Sequence, residues 1–139
     1  MRAALDSSVI VAALDGDDPD HAACRTLLLS AKFSIHAHAF SETFATLTGG
    51  RLAIRVPATE AALLLRKWIA PRLAITPLEP DDVLGAFDES SERGVRGGAI
   101  YDYLHLVAAR KARAPTLYTL NVSDFQSFHR PGDPKIVHP

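Results

Sequence analysis

Cysteine is almost missing from this chain. The single one, Cys24, excludes an internal disulfide and a multi-cysteine zinc site. Set among Ala22, Ala23, Leu27 and Leu28, it reads as a small hydrophobe on a helix face. No apolar run approaches the roughly 20 residues of a membrane helix. Asp6 interrupts the apolar N-terminus, so no signal peptide is read there, and the expectation is a soluble, cytoplasmic protein with no membrane partner. Neither charge dominates. A net charge of −1 excludes a globally basic nucleic-acid binder and leaves room only for a local basic patch. Repeats and low-complexity tracts are also absent. What is present is 47% hydrophobic and 22% charged residues in 139, enough for one packed domain spanning 1–139.

Short apolar runs alternate with longer helical patterns, the arrangement of parallel strands joined by helices. Residues 3–5 read as a strand ending at Asp6, followed by a helix through Val9, Ile10 and Ala13. Asp18 is placed to cap a second helix with Pro19 in its first turn. "FSIHAHA" (33–39) reads as a second strand, and "SETFATLT" (41–48) as a helix closed by Gly49 and Gly50. A further helix starts at Pro57 and Thr59, with a buried stripe of Ala61, Leu64, Leu65, Trp68 and Ile69. "LAITPLE" (73–79) is a third strand. A short helix carrying Val83, Ala86 and Phe87 leads into a basic, flexible loop, "SERGVRGG". The helix after it has the stripe Ile100, Tyr103, Leu104, Val107 and Ala108. "TLYTL" (116–120) and "KIVH" (135–138) complete a parallel sheet of four to five strands between helical layers, a three-layer α/β/α domain.

In such sheets, sites form beyond the carboxyl ends of the strands. Asp6 follows the first strand, Glu42 lies just past the second, and Asn121 and Asp124 follow the fourth. Asp102 opens the helix that precedes the fourth strand, and loop 90–98 must carry that helix start to the same edge. Each acid has a structural explanation on its own. Asp6 and Asp124 suit helix caps, and Glu42 and Asp102 suit first-turn positions beside a helix dipole. Asp17, Asp18, Asp20, Asp81 and Asp82 read as solvated helix-start charges. His36 and His38 alternate along the predicted strand, but no third ligand is spaced to join them in a zinc site. Four acids gathered at one edge would repel one another unless a cation neutralised them. Oxygen donors without paired His or Cys favour Mg²⁺ or Mn²⁺. The chemistry this implies is metal-assisted phosphodiester hydrolysis.

The ordered motifs "ALDSSVIVAAL", "AFSETFATLTGG", "RGGAIYDYLHLVAA" and "TLNVSDF" resemble those of PIN-domain ribonucleases, and specifically VapC toxins of bacterial toxin–antitoxin pairs. His21 matches a His common in that family. The resemblance covers nearly the whole chain. It implies a PIN-like fold with Asp6, Glu42, Asp102 and Asp124 as catalytic and metal-holding acids around Mg²⁺ or Mn²⁺. Asp6 and Asp102 would be direct ligands, Glu42 would orient or deprotonate the attacking water, and Asp124 would serve a second metal or outer waters. Some relatives carry Asp where this chain has Asn121. Ser8, Thr119 and Asn121 would support the acids. Arg93 and Arg96, and also Arg51 and Arg55, are candidates for contacting the RNA substrate. The resemblance further implies a homodimer, a cognate VapB-type antitoxin and no direct DNA binding by this chain.

Two other readings compete. An aspartate-based phosphotransfer domain also places Asp after its first strand, but the phosphatase pattern wants a second Asp where Ser8 stands, and a receiver wants a late Lys missing from "TLYTLNVSDF". A non-catalytic RNA- or protein-binding module has no need of clustered acids.

Overall fold

The computed structural model describes residues 2–50, 52 and 55–139. Five short strands form one parallel sheet: β1 (Ala4–Leu5), β2 (Phe33–His36), β3 (Leu73–Thr76), β4 (Thr116–Tyr118) and β5 (Lys135–Val137), in the order β3-β2-β1-β4-β5. The chain winds outward from β1 to β3, then crosses back to lay β4 on the other side of β1. The turns leaving β1 and β4 therefore diverge from neighbouring strands, which opens a crevice at their carboxyl ends.

Side chains alternate across the two faces of a strand. Leu5, Phe33, Ile35 and Leu73 join one apolar cluster with α1 (Ser7–Leu14) and α2 (His21–Ser30). Ala4, Leu117 and Ile136 join a second, with α5 (Pro80–Arg93), α6 (Ala99–Lys111) and α7 (Val122–Phe128). The result is the expected α/β/α sandwich. Helix α3 (His38–Thr48) and α4 (Ala58–Leu64) complete the first layer.

Four local expectations are corrected. The second strand stops at His36, because Ala37 already has helical dihedrals (φ −54°, ψ −30°) and α3 starts at His38. Its alanines favour helix over strand. Helix α2 starts at His21 rather than at Pro19: the Asp18 carboxylate accepts the Asp20 N–H at 2.8 Å, so a turn occupies residues that would have begun the helix. Helix α5 runs through Arg93, so "SER" is helical and the connection to α6 is short. It is fixed at one end by a capping box between Glu79 and Asp82, and at the other by Gly94 in the left-handed region at φ 70°. Finally, α4 passes into a π-helical segment, Leu65–Ile69, where the Ala70 N–H reaches Leu65 O. The wider turn aligns Leu65 with Ile69, both buried, and rotates Trp68 outward to 55% exposure.

Helix α6 buries more residues than any other described helix. Tyr103 and Leu106 are fully enclosed, and His105 is buried with them. The predicted stripe is only part of this surface: Ile100 and Leu104 are half-buried, while His105, Leu106 and Ala109 are inside. The helix lies across β2, β3 and β4, so it is covered on more than one side.

Candidate active site

Asp6 ends β1 and caps α1, accepting the Ser8 N–H at 3.1 Å and the Ser8 hydroxyl at 2.5 Å on one carboxylate oxygen. Thr119 Oγ1 donates to the other at 2.6 Å. The same Thr119 oxygen accepts the Asn121 N–H, and Ser8 Oγ accepts the Leu120 N–H, both at 3.0 Å. These bonds tie the end of β1 to the end of β4. Burial pushes the Asp6 carboxyl above its ordinary range, while the charge of His105 and the hydroxyl donors pull the other way.

Glu42 lies on the first half of α3. Its Oε1 meets His105 Nε2 at 2.5 Å. Burial raises the Glu42 carboxyl, but this bond and the charges of His105, His38 and His36 outweigh it and leave the carboxyl below its usual value. His105 responds in the opposite sense. Burial disfavours its charge, yet the bond to Glu42 and the fields of Asp6, Glu42 and Asp102 hold its pKa above 6.5. His36, half-buried beside it, is lowered to about 4 by burial and by repulsion from His105 and His38.

Asp102, in the first turn of α6, is pushed up to about 6, first by burial and then by repulsion from Asp6, Glu42 and Asp124, against the pull of His105. Asp102 is thus within electrostatic reach of the other three predicted acids. Three of the four, Glu42, Asp102 and Asp124, line two hollows, and Asp6 is buried behind Ser8. A cleft of about 540 Å³ is lined by Glu42 with Ser7, Ser8, Asp18 and Asn121. A smaller one of about 350 Å³ lies between Asp102 and Asp124. Asp124 and Asn121 are exposed, and the Asn121 side chain makes no capping bond. Among the described residues, no three His, Cys, Asp or Glu side chains are already drawn together as a metal cage. The donor set nonetheless fits a hard dication: oxygen atoms, like charges, and one carboxyl whose ionisation the others oppose.

Of the basic candidates, Arg93 requires correction. Its guanidinium bonds Asp133 and the Phe128 carbonyl, and its side chain is only 14% exposed, so it is committed to structure. Arg96 is exposed. The Arg55 guanidinium packs against Gly50, and Arg51 lies outside the described residues. His21 Nδ1 lies 2.8 Å from the Ala12 carbonyl and so joins α2 to α1. His105 was missed by the sequence reading. Its signal was available: it stands three residues after Asp102, on the same side of a helix. His38, no longer on a strand, stands one turn before Glu42 on α3.

The fold and site define a parallel α/β domain with an acidic crevice at its topological switch point. The PIN domain family model matches residues 3–128, and the chain belongs to that family. Two solved structures share the fold. One is the VapC20 toxin of Mycobacterium tuberculosis, which cleaves the sarcin–ricin loop, with a TM-score of 0.70 and 18% identity, covering 94% of this chain and 98% of that one. The other is VapBC2 of Rickettsia felis bound to a DNA fragment from its promoter, with a TM-score of 0.67 and 17% identity, covering 99% and 98%. No curated protein matches the chain.

Proposed function

We propose that this chain is a VapC-type toxin, an endoribonuclease dependent on Mg²⁺ or Mn²⁺ and restrained by a VapB-type antitoxin. The observation that carries this reading is at Asp102, in the first turn of α6: burial first, and then the charges of Asp6 after β1, Glu42 on α3 and Asp124 on α7, push its carboxyl up to about 6. A divalent ion held there would supply charge for the developing phosphorane and acidify a water. Asp6, Asp102 and Asp124 would hold it, with Glu42 alongside.

The chain's own side chains do the rest. Ser8 and Thr119 fix the Asp6 carboxylate in one orientation. His105 keeps Glu42 ionised and steadies it through Oε1, which leaves Oε2 to accept a proton from the attacking water. Water adds to phosphorus, its proton passing to Glu42, as the bond to the leaving ribose oxygen breaks and that oxygen takes a proton from solvent. Asp6 itself is a poor nucleophile: it is 2% exposed and both its oxygens accept hydrogen bonds, which counts against aspartyl phosphotransfer. The dimer and the antitoxin, whose C-terminal segment would lie beside the acids and present an Arg to them, belong to the same reading, as does a cytoplasmic location.

The test is cleavage of labelled RNA by the purified protein. EDTA should stop it, Mg²⁺ or Mn²⁺ should restore it, and Asp102→Asn should abolish it. An Asp102→Asn protein that cuts at the normal rate would overturn the proposal. Sequencing RNA ends after induced expression, beside an Asp6→Ala control, identifies the target.

A further inference from the structure

A row of four rings runs from the buried site to the surface. His105 meets His36 edge-on at 5.6 Å, and His36 lies 5.9 Å from His38. His38 stacks on Tyr101, with centroids 5.6 Å apart and planes within 16°. The outermost ring, Tyr101, is 53% exposed.

The two stacked rings are placed by the acids' own elements. Tyr101 immediately precedes Asp102 on α6, and His38 stands one turn before Glu42 on α3. His38 is near enough to Glu42 to favour its ionised form. Two separate helices therefore hold the pair in register, so the exposed Tyr101 ring is preorganised rather than free to sweep through solvent. An offset, near-parallel pair of this kind is a stable aromatic arrangement that still leaves a π-face open. A nucleic-acid base next to a phosphate lying on the acids needs such a face, and stacking serves any base.

We infer that Tyr101, backed by His38, is a base-stacking platform for a nucleotide of single-stranded RNA flanking the scissile phosphate. This rests on the nuclease reading above. The shape of the pair favours a flat, polar-edged ligand such as a base over an aliphatic protein surface.

The test uses a fluorescein-labelled single-stranded RNA of mixed sequence, titrated into the Asp102→Asn protein so that binding is read without cleavage. Adding Tyr101→Ala should weaken binding about 5- to 100-fold, and Tyr101→Phe should stay within about twofold of the parent. An RNA carrying 2-aminopurine should be quenched on binding by the parent and the Phe variant but not by the Ala variant. Thermal melts of all three should coincide, since the ring is exposed. If Tyr101→Ala binds as tightly as the parent, or Tyr101→Phe is as weak as Ala, the platform is wrong. If RNA affinity is unchanged and light scattering shows a changed oligomer, the ring serves a protein interface instead. If the parent has no affinity for RNA at all, the nuclease reading falls and this inference with it.

Discussion

Asp102 bears the cost of the acidic crevice. Its carboxyl titrates near 6 in the folded protein against an ordinary 3.8, so folding favours its protonated form. Stability from this group is present below 3.8 and is lost as pH rises through about 6. Removing the charge should therefore stabilise the protein in chelator. Asp102→Asn should melt close to the wild type near pH 3.8, gain about 1 kcal/mol after solvent screening by pH 7, and gain no more above that. Divalent ions should raise the melting temperature of the wild type and leave the variant nearly unmoved. The comparison between the two proteins is the useful one, because His36, lowered to about 4, gains stability over the same range as pH rises. His105 makes a second residue-scale prediction. It touches Glu42 rather than the substrate, so it positions an acid. His105→Leu should keep its fold and weaken Mn²⁺ binding about 10- to 100-fold by calorimetry. Unchanged affinity would reduce the pair to packing.

At the scale of elements, the placement of α6 depends on how α5 ends. Gly94 closes α5 at φ 70°, and its N–H returns to Ser90 and Ser91 carbonyls. Val95 is buried immediately afterwards, and α6 begins four residues later, at Ala99. Nothing lies within 4 Å of where a Cβ on Gly94 would stand, so a substitution there reads backbone conformation alone. Gly94→Ala should cost about 1 kcal/mol, seen as a lower urea midpoint at constant slope, and Gly94→Asn about half of that. A larger loss of RNA cleavage than of stability would show that the connection also sets the position of Asp102.

For the whole molecule, a polar knot fastens the second helical layer to the end of the sheet. Tyr103 is fully buried, and its hydroxyl donates to Glu89 at 3.1 Å. Arg93 and Arg110 lie against its ring at 5.6 and 5.8 Å. Arg110 also reaches Glu89, and Arg93 pairs with Asp133, which precedes β5. Burial would raise the Asp133 carboxyl, but Arg93 and the Arg130 N–H hold it below the usual range. Asp133→Ala should cost about 3 kcal/mol in chemical denaturation, because it strands a mostly enclosed guanidinium. Asp133→Asn, which keeps the shape and an acceptor, should cost less. The knot involves none of the four acids, so any cleavage defect in these variants should track stability.

Much of this architecture could be read locally. The alternation of apolar runs and helical stripes, the acid after the first strand and the spacing of Asn121 and Asp124 depend on residues near one another in the chain, and the alternation was enough to give the parallel sheet and its helical layers. Element ends were less legible. Ala37, the Asp18 turn and the π-turn before Ile69 are each a competition between local preferences that packing decides. The pairings within the site lay beyond local pattern altogether. Glu42 and His105 are 63 residues apart, and Asp6 and Thr119 are 113. Only when the sheet brings β1 against β4, and α6 across β2, do those side chains meet, because a hydrogen bond is set by distance in space and not along the chain. Arg93 illustrates the same division: the sequence determined that a cation stands before Asp102, and the tertiary structure gave it to Asp133.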